Sequence, residues 1–368
     1  MIQALPPAGG VDSAERSVHH ANHRGLLDGH AQPVARASID AVIVPSYRQA
    51  AAMAAAAALA ADLVCPLIAL CSQSAEAAAV REVARGAVAV DVASPSALPP
   101  LLTTARLAGT SFARSSDTAL KRNIGLAITR MTGWQNVLFL DDDITGVQAD
   151  SLQRAASLLD SHDVVGLQNL GFPDNSVVCH ANRDTGGHQG TFVGAGAMLF
   201  RGGRVTSFFP HVYNEDWFFL LDGERLVNVA VHGTFAQARY DPYANPTRAG
   251  SEEFGDCLAE GIFSLLDDGG TTADADREFW VRFLTDRAAL IETIKGRLPA
   301  ATVSAFRRTQ IAESLKAARA RLLEITPKLC VDYLGAWRHD RDTWRDWMEL
   351  LPKDLSAEEA LSHLGVGC

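Results

Sequence analysis

The sequence lacks a close cysteine pair, a long hydrophobic run and an excess of positive charge. Its six cysteines are scattered without a CxxC spacing, which argues against a cysteine metal site and indicates reduced thiols in a cytoplasmic protein. A formal net charge of −10 argues against nonspecific binding to nucleic acid. The longest apolar block, residues 50–61, is mostly alanine and is shorter than the ~20 residues of a membrane-spanning helix. We therefore predict no integral membrane segment.

The first 36 residues also lack a basic start followed by an apolar stretch, so no signal peptide is predicted. They are rich in glycine, proline, histidine and alanine, a composition that favours a disordered arm over a packed segment. The histidines in this arm are His19, His20, His23 and His30. They could bind a metal ion, but we favour a disordered arm that binds none.

The remaining chain has the composition of a folded α/β protein. Of 368 residues, 48% are hydrophobic and 21% are charged, enough to build a core. Apolar runs at 39–44, 67–70 and 87–90 alternate with helical segments, which is typical of a parallel sheet covered by helices. A polar, glycine-containing stretch at 267–272 precedes further helical segments. We predict an arm over 1–36, an α/β domain over 37–270 and a helical region over 271–368.

An acidic triplet, Asp141, Asp142 and Asp143, directly follows the short apolar run 137–140. The run predicts a buried strand, which places the triplet at the carboxyl end, where ligands collect in open α/β sheets. Because side chains alternate along an extended chain, Asp141 and Asp143 point to one side and can clamp a divalent cation. Alternatively, one aspartate caps the helix predicted over 149–159 and the others are solvated.

Two further segments carry candidate functional groups. The loop 111–117 leads into a helix with Lys121 and Arg122 near its start, where a phosphate can bind or the two cations can simply be solvated. Glu215 and Asp216 precede an aromatic run that begins at Trp217. This pair can supply a general base beside a ring on which a sugar stacks. Alternatively, the two acids only favour the helix dipole at a helix N-terminus, and the aromatic residues pack in the core.

His232 follows an apolar run at 226–231 and precedes Gly233, so we expect it at the end of a strand. A lone histidine in this position is more often structural than a ligand. It becomes a candidate metal ligand only if this strand end lies beside the acidic triplet.

Four of these segments, 42–48, 121–126, 139–143 and 214–217, follow the order seen in glycosyltransferases of the GT-A fold, and the chain most resembles the inverting family-two enzymes over residues 38–232. The resemblance implies a Rossmann-like, mostly parallel sheet with helices on both faces, followed by a helical C-terminal region. It also implies transfer of one sugar from a nucleoside-diphosphate sugar, with a UDP-sugar as the expected donor, to an acceptor hydroxyl.

The same resemblance implies roles for individual residues. Asp141 and Asp143 match the aspartates that hold Mn²⁺ or Mg²⁺, and His232 resembles a histidine that some of these enzymes add as a metal ligand. Asp216 matches the acid that deprotonates the acceptor, with Glu215 shaping the site. The residues expected to bind the nucleotide sugar are Pro45, Ser46, Arg48, Ser116, Lys121, Arg122 and Asp142.

The sequence departs from the family in two places. Cys71 to Ser74 stand where the family often has an acidic residue that touches the base, so the base stays open. No QxxRW-like motif follows the acid pair, which argues against a processive polymer synthase. Alternatives to an inverting enzyme are a retaining GT-A enzyme, a sugar nucleotidyltransferase and a noncatalytic nucleotide-sugar or glycan-binding module. The acceptor and a homo-oligomeric state are also left open.

Overall fold

A computed structural model describes residues 23–29, 31–33, 35–93, 97–173, 175–188, 190 and 192–367. Of the histidines in the predicted arm, His19, His20 and His30 lie outside the described residues. No helix within these ranges is both long and apolar enough to cross a membrane.

The described strands form one eight-stranded sheet and a small hairpin. They are β1 (Ala41–Ser46), β2 (Leu67–Cys71), β3 (Val88–Asp91), β4 (Asn136–Leu140), β5 (Ile144–Thr145), β6 (Val164–Asn169), β7 (Ala197–Arg201), β8 (Leu221–Asp222), β9 (Arg225–Leu226) and β10 (Val229–Gln237). The sheet order is β3-β2-β1-β4-β7-β6-β10-β5, and β8 pairs with β9. Strands β7 and β5 pair antiparallel with their neighbours, whereas the other pairs are parallel.

Helices follow most of the strands, and the last four lie in sequence after residue 270. The helices are α1 (Ala54–Leu63), α2 (Ala77–Val83), α3 (Leu102–Leu107), α4 (Thr118–Thr132), α5 (Ala149–Ser157), α6 (Val177–Asp184), α7 (Glu215–Phe219), α8 (Thr247–Asp267), α9 (Arg277–Arg297), α10 (Ala305–Leu322), α11 (Pro327–Leu350) and α12 (Ala357–His363). Short 3₁₀ segments lie at Arg24–Leu26, Ala50–Met53, Leu158–Asp160, Thr272–Asp274 and Leu298–Ala300.

Alternating side chains of the central strands bury both faces of the sheet. In β1, Val42 and Val44 join a hydrophobic cluster with α1, α2 and α5, whereas Ile43 joins the cluster on the opposite face with α4 and the C-terminal helices. A strand that is buried on both sides reads as a continuous apolar run, as residues 41–44 do. The predicted fold class is confirmed: a mostly parallel α/β sheet with helices on both faces and a helical C-terminal region.

The helical C-terminal region packs directly on the sheet. One cluster of buried side chains extends from Phe139 in β4 to Val366 near the end of the chain. The predicted division at residue 270 falls between α8 and the 3₁₀ segment Thr272–Asp274, and it stays a prediction.

Part of the predicted arm packs against the folded domain. The Asp28 amide donates to the Val229 carbonyl at 3.1 Å, and the Asp28 carboxylate lies 3.1 Å from Nε2 of His162. The side chain of His23 is fully buried against α8. Residues 23–29 therefore differ from the expectation of a disordered segment, because they have partners that lie far away in the sequence.

The strand that carries His232 also differs from its prediction. The apolar run 226–231 predicts a strand that ends at His232, just before Gly233, but β10 continues to Gln237. Its register with β6 shifts between Val231 and Thr234, and Gly233 has a φ of 84°. Glycine adopts this left-handed conformation at little cost, so it permits an irregularity within the strand instead of ending it.

Candidate active site

The middle residue of the acidic triplet holds the loop that follows β1. Strands β1 and β4 are parallel neighbours, so their carboxyl ends meet. Asp142 is 7% exposed and accepts hydrogen bonds from the backbone amides of Tyr47 at 2.7 Å and Arg48 at 2.8 Å. It also accepts from the Ser46 hydroxyl at 3.2 Å and pairs with the Arg48 guanidinium. Asp142 therefore fixes the segment that was expected to line a nucleotide pocket.

The outer two aspartates take partners that differ from those of Asp142 and from each other, apart from the Arg48 guanidinium, which Asp143 shares with Asp142. Both oxygens of Asp141 accept from Nη2 of Arg122, at 2.9 and 3.0 Å. Asp143 accepts from Arg48 at 3.1 Å and from Gln237 at 3.4 Å. Burial raises the pKa of Asp141 to about 6; the Arg122 charge opposes the rise, and the Asp143 charge adds to it. Helix α5 is preceded by Gln148, so no aspartate of the triplet caps it.

Arg122 connects the acidic triplet to the acid pair. Its side chain is 5% exposed, and Nη1 donates to Glu215 at 2.8 Å while Nη2 donates to Asp141. Helix α4 reaches this position by packing closely on the sheet: a Cβ added to Gly125 would lie 2.8 Å from Cε1 of Phe139 and 3.2 Å from Cγ2 of Ile43. The guanidinium thus bridges two acidic segments that are far apart in the sequence.

Asp216 is held by backbone groups on both oxygens. Oδ2 accepts from the Ala195 amide at 2.9 Å, and Oδ1 accepts from its neighbour Trp217 at 3.0 Å. Asn214, which has a φ of 59°, precedes α7 and sets the entry of the chain. Burial raises the pKa of Asp216 to about 6, and the Glu215 charge raises it further against the opposing charge of Arg122.

A cavity of about 240 Å³ lies between the triplet and the acid pair. It is lined by acidic, cationic and aromatic side chains from several elements, including Arg122, Asp141, Phe192, Glu215, Asp216 and Trp217. Ser116 also lines it. The cavity therefore brings together residues from the acidic triplet, the start of α4 and the acid pair, whereas the loop after β1 and His232 do not line it.

The two remaining residues that were expected to bind the nucleotide sugar, Lys121 and Pro45, are buried within the fold. Lys121 is fully buried, and its Nζ donates to the Ser46 carbonyl at 2.7 Å and to the Ser72 hydroxyl at 2.6 Å. Its ammonium also lies 3.7 Å from the centre of the Tyr47 ring. Pro45 is a buried residue of β1. Lys121 thus ties together the carboxyl ends of β1 and β2 and is not a solvated cation.

His232 is the predicted site residue that the fold does not bring to the triplet. It lies in the middle of β10, and burial together with the charge of Arg154 on α5 lowers its pKa. Gln237, five residues later in the same strand, contacts Asp143. Five residues of extended chain span roughly 15 Å, so Gln237, not His232, lies beside the aspartates.

A row of buried acids on α8 is not predicted as functional from the sequence. Asp256 and Glu260 line the cavity, and with Cys179 they place three possible metal-ligand atoms within 4.8 Å of one another. Asp256, however, already pairs with Arg287 at 2.6 Å, and Glu260 pairs with His23 at 3.2 Å. The side chains of these two acids are also only 3% and 4% exposed, so an ion has little access to them, and we assign no metal there. The spacing of acids at 252, 256 and 260 on one helical face was the available signal.

Comparison with protein families and with curated proteins gives no match for this chain. Among solved structures, the chain is similar to the mannosyltransferase PcManGT from Pyrobaculum calidifontis, whose structure is a complex with GDP-Man and Mn²⁺. The sequence identity is 15%, 88% of each chain is covered and the TM-score is 0.42. A likeness of this size carries no argument about the activity of the present chain.

Proposed function

We propose that this chain is a metal-dependent glycosyltransferase that moves one sugar from a nucleoside-diphosphate sugar to an acceptor hydroxyl with inversion. The observation that carries the proposal is the shared cavity of Asp141 and Asp216, which are coupled through Arg122 and Glu215. The cavity offers a candidate metal ligand, Asp141, and a candidate base, Asp216. These are the two groups that displacement of a diphosphate by a hydroxyl requires.

The donor set at the triplet fits Mn²⁺ or Mg²⁺. Asp141 and Asp143 provide hard carboxylate oxygens, and their side chains are 25% and 9% exposed, so an ion can reach both. Burial and the nearby negative charges raise the pKa of both carboxyl groups. A bound divalent cation would offset this unfavourable energy by stabilising the charged form of each. When bound, the ion would neutralise charge on the leaving diphosphate. His232 is not part of this proposed site.

Asp216 is the proposed general base. A carboxylate with a pKa of about 6 is ionised at neutral pH and is basic enough to accept a proton as the acceptor hydroxyl attacks. Each oxygen takes one backbone hydrogen bond, which leaves lone pairs for the acceptor. Glu215 stays paired with Arg122 and orients the helix that carries the base. Trp217 provides a flat apolar face in the same cavity.

The loop after β1 is the proposed site of the nucleoside. Asp142 holds Ser46, Tyr47 and Arg48 in place, and Lys121 fixes the adjoining ends of β1 and β2. Ser46 and Arg48 do not line the described cavity, so the nucleoside would lie across Asp141 from the acid pair. A UDP-sugar is the first donor to test.

Donor and metal binding can be tested by a thermal-shift panel of UDP-, GDP-, ADP- and TDP-sugars with and without Mn²⁺. We expect one nucleotide to raise the melting temperature in a metal-dependent way, because a ligand that binds only the native state stabilises it. The Asp143→Ala variant should lose this shift. Asp160→Ala, which removes an aspartate whose side chain is 80% exposed, should retain it. No shift with any nucleotide sugar would contradict the proposal.

The Asp216→Asn variant tests the role of the base and the stereochemistry. It should keep the metal-dependent donor shift but lose nearly all transfer, since an amide cannot accept the acceptor proton. Mild loss of activity would contradict inversion, because retaining enzymes of this fold need no base.

A further inference from the structure

The cavity is lined by a second arginine, Arg114, which is not among the predicted site residues. Arg122 is already occupied by Asp141 and Glu215. Arg114, by contrast, lies within 4.0 Å of no carboxylate in the described parts of the chain, and its Nη1 is shielded from solvent without a hydrogen-bond partner. A guanidinium in this state has donors to offer a ligand.

The Arg114 side chain is positioned over an aromatic ring. Its guanidinium carbon lies 5.3 Å from the centre of the Tyr213 ring, within the range of a cation–π contact. Tyr213 in turn packs against α8 so closely that a Cβ added to Gly255 would lie 2.2 Å from the Tyr213 carbonyl oxygen. Tyr213 directly precedes Asn214 and the acid pair, so Arg114 lies on the wall of the cavity that carries the proposed base.

We infer that Arg114 binds an anionic group, a phosphate or a carboxylate, of the acceptor. The planar guanidinium matches two oxygens of either group. The other charged residues of the cavity besides Arg122 are acids, namely Asp141, Glu215, Asp216, Asp256 and Glu260. An anion is therefore repelled from most of the cavity and accepted at Arg114.

The acceptor is the better source of this anion than the donor diphosphate. The proposed nucleoside loop and Asp143 do not line the cavity, whereas Arg114 does, together with Asp216 and Trp217. Assigning the anion to the acceptor rests on the proposed function. Binding of an anion at Arg114 does not, and the two can be tested separately.

Inorganic phosphate is the probe. The wild type is saturated with Mg²⁺ and the nucleoside diphosphate identified by the thermal-shift panel, so that the donor diphosphate site is filled, and phosphate is then titrated by calorimetry. If the panel identifies no nucleotide, phosphate is titrated alone. Arg114→Gln removes the charge, and Arg114→Lys keeps the charge but loses the planar fork. Arg282→Gln is the matched control, since its side chain is 63% exposed and pairs with Glu278 on the same helix.

Phosphate should bind the wild type and Arg282→Gln equally, and at least about tenfold more weakly to Arg114→Gln, since a charge-assisted hydrogen bond is lost. Arg114→Lys should be intermediate, and nucleotide affinity should be unchanged in every variant. Equal phosphate affinity in Arg114→Gln and the wild type would overturn the anion site. Loss of nucleotide affinity in Arg114→Gln would overturn the acceptor assignment and place the guanidinium on the donor diphosphate. Anion binding without any nucleotide binding would contradict the proposed function but not the anion site.

Discussion

The burial of His23 predicts a specific pH dependence of stability. Its imidazole is enclosed by the rings of Phe192, Trp217 and Phe263. Nδ1 lies 2.5 Å from Asp267, and Nε2 lies 3.2 Å from Glu260. Burial lowers the pKa of His23, but the hydrogen bonds and charges of these two carboxylates outweigh it and raise the pKa from 6.5 to about 9.

A folded-state pKa above the unfolded value means that the native protein binds the proton more tightly. The resulting stabilisation is fully present below pH 6.5 and is lost as the pH rises through 9. A rise in pKa from 6.5 to about 9 corresponds to about 3 kcal/mol. The free energy of unfolding should therefore contain a His23 contribution that falls by about 3 kcal/mol between pH 6 and pH 10.

The assay is urea unfolding of the wild type and His23→Gln, followed by tryptophan fluorescence at intervals from pH 6 to pH 10. The difference in unfolding free energy between the two proteins should shrink by about 3 kcal/mol across this range. His339→Gln, on the exposed surface of α11, is the control and should differ from the wild type by a constant amount. A constant difference for His23→Gln as well would refute the reasoning, because it would mean that folding leaves the pKa of His23 unchanged.

Three further outcomes are expected. Gly194→Ala should slow transfer roughly tenfold with little change in the free energy of unfolding, because the added Cβ would lie 3.3 Å from Oδ2 of Asp216. An unchanged rate would argue against Asp216 as the base. Arg287→Met should lower the free energy of unfolding, measured in urea, by about 3 to 5 kcal/mol, because two buried acids lose their partner. Arg282→Gln on the same helix should lower it by less than about 0.5 kcal/mol. Similar losses in the two variants would contradict a buried network around Arg287. The transfer rate should rise with pH through about 6 as Asp216 loses its proton, and a rate independent of pH from 5 to 8 would count against that role.

Local patterns predicted the secondary structure near the site with good accuracy. The apolar run before the acidic triplet corresponds to β4, and the cationic segment before it corresponds to α4. Both predictions depend on periodicity and on composition over a few residues, which the chain carries locally. The sequence pattern puts the end of β10 too early, because glycine often breaks a strand, whereas the positive φ of Gly233 accommodates an irregularity within a longer strand.

Contacts between distant segments required the tertiary structure. Arg122 and Glu215 are 93 residues apart, and no spacing rule predicts that one guanidinium would bind both Glu215 and Asp141. His23 and Glu260 are separated by 237 residues, so composition alone placed His23 in a disordered arm. Arg114 became a candidate only when the cavity was known.

The sequence by itself determined the strand before the acidic triplet, the helix that carries Arg122 and the position of the triplet at a strand end, because alternation and helical periodicity act over a few neighbouring residues. The tertiary structure decided which carboxylates face the cavity and which hold neighbouring backbone in place by hydrogen bonds. Asp142 holds a loop and Asp141 faces the cavity, although they are adjacent in the sequence. That choice depends on which strands are neighbours in the sheet, and it is made by packing over the whole chain.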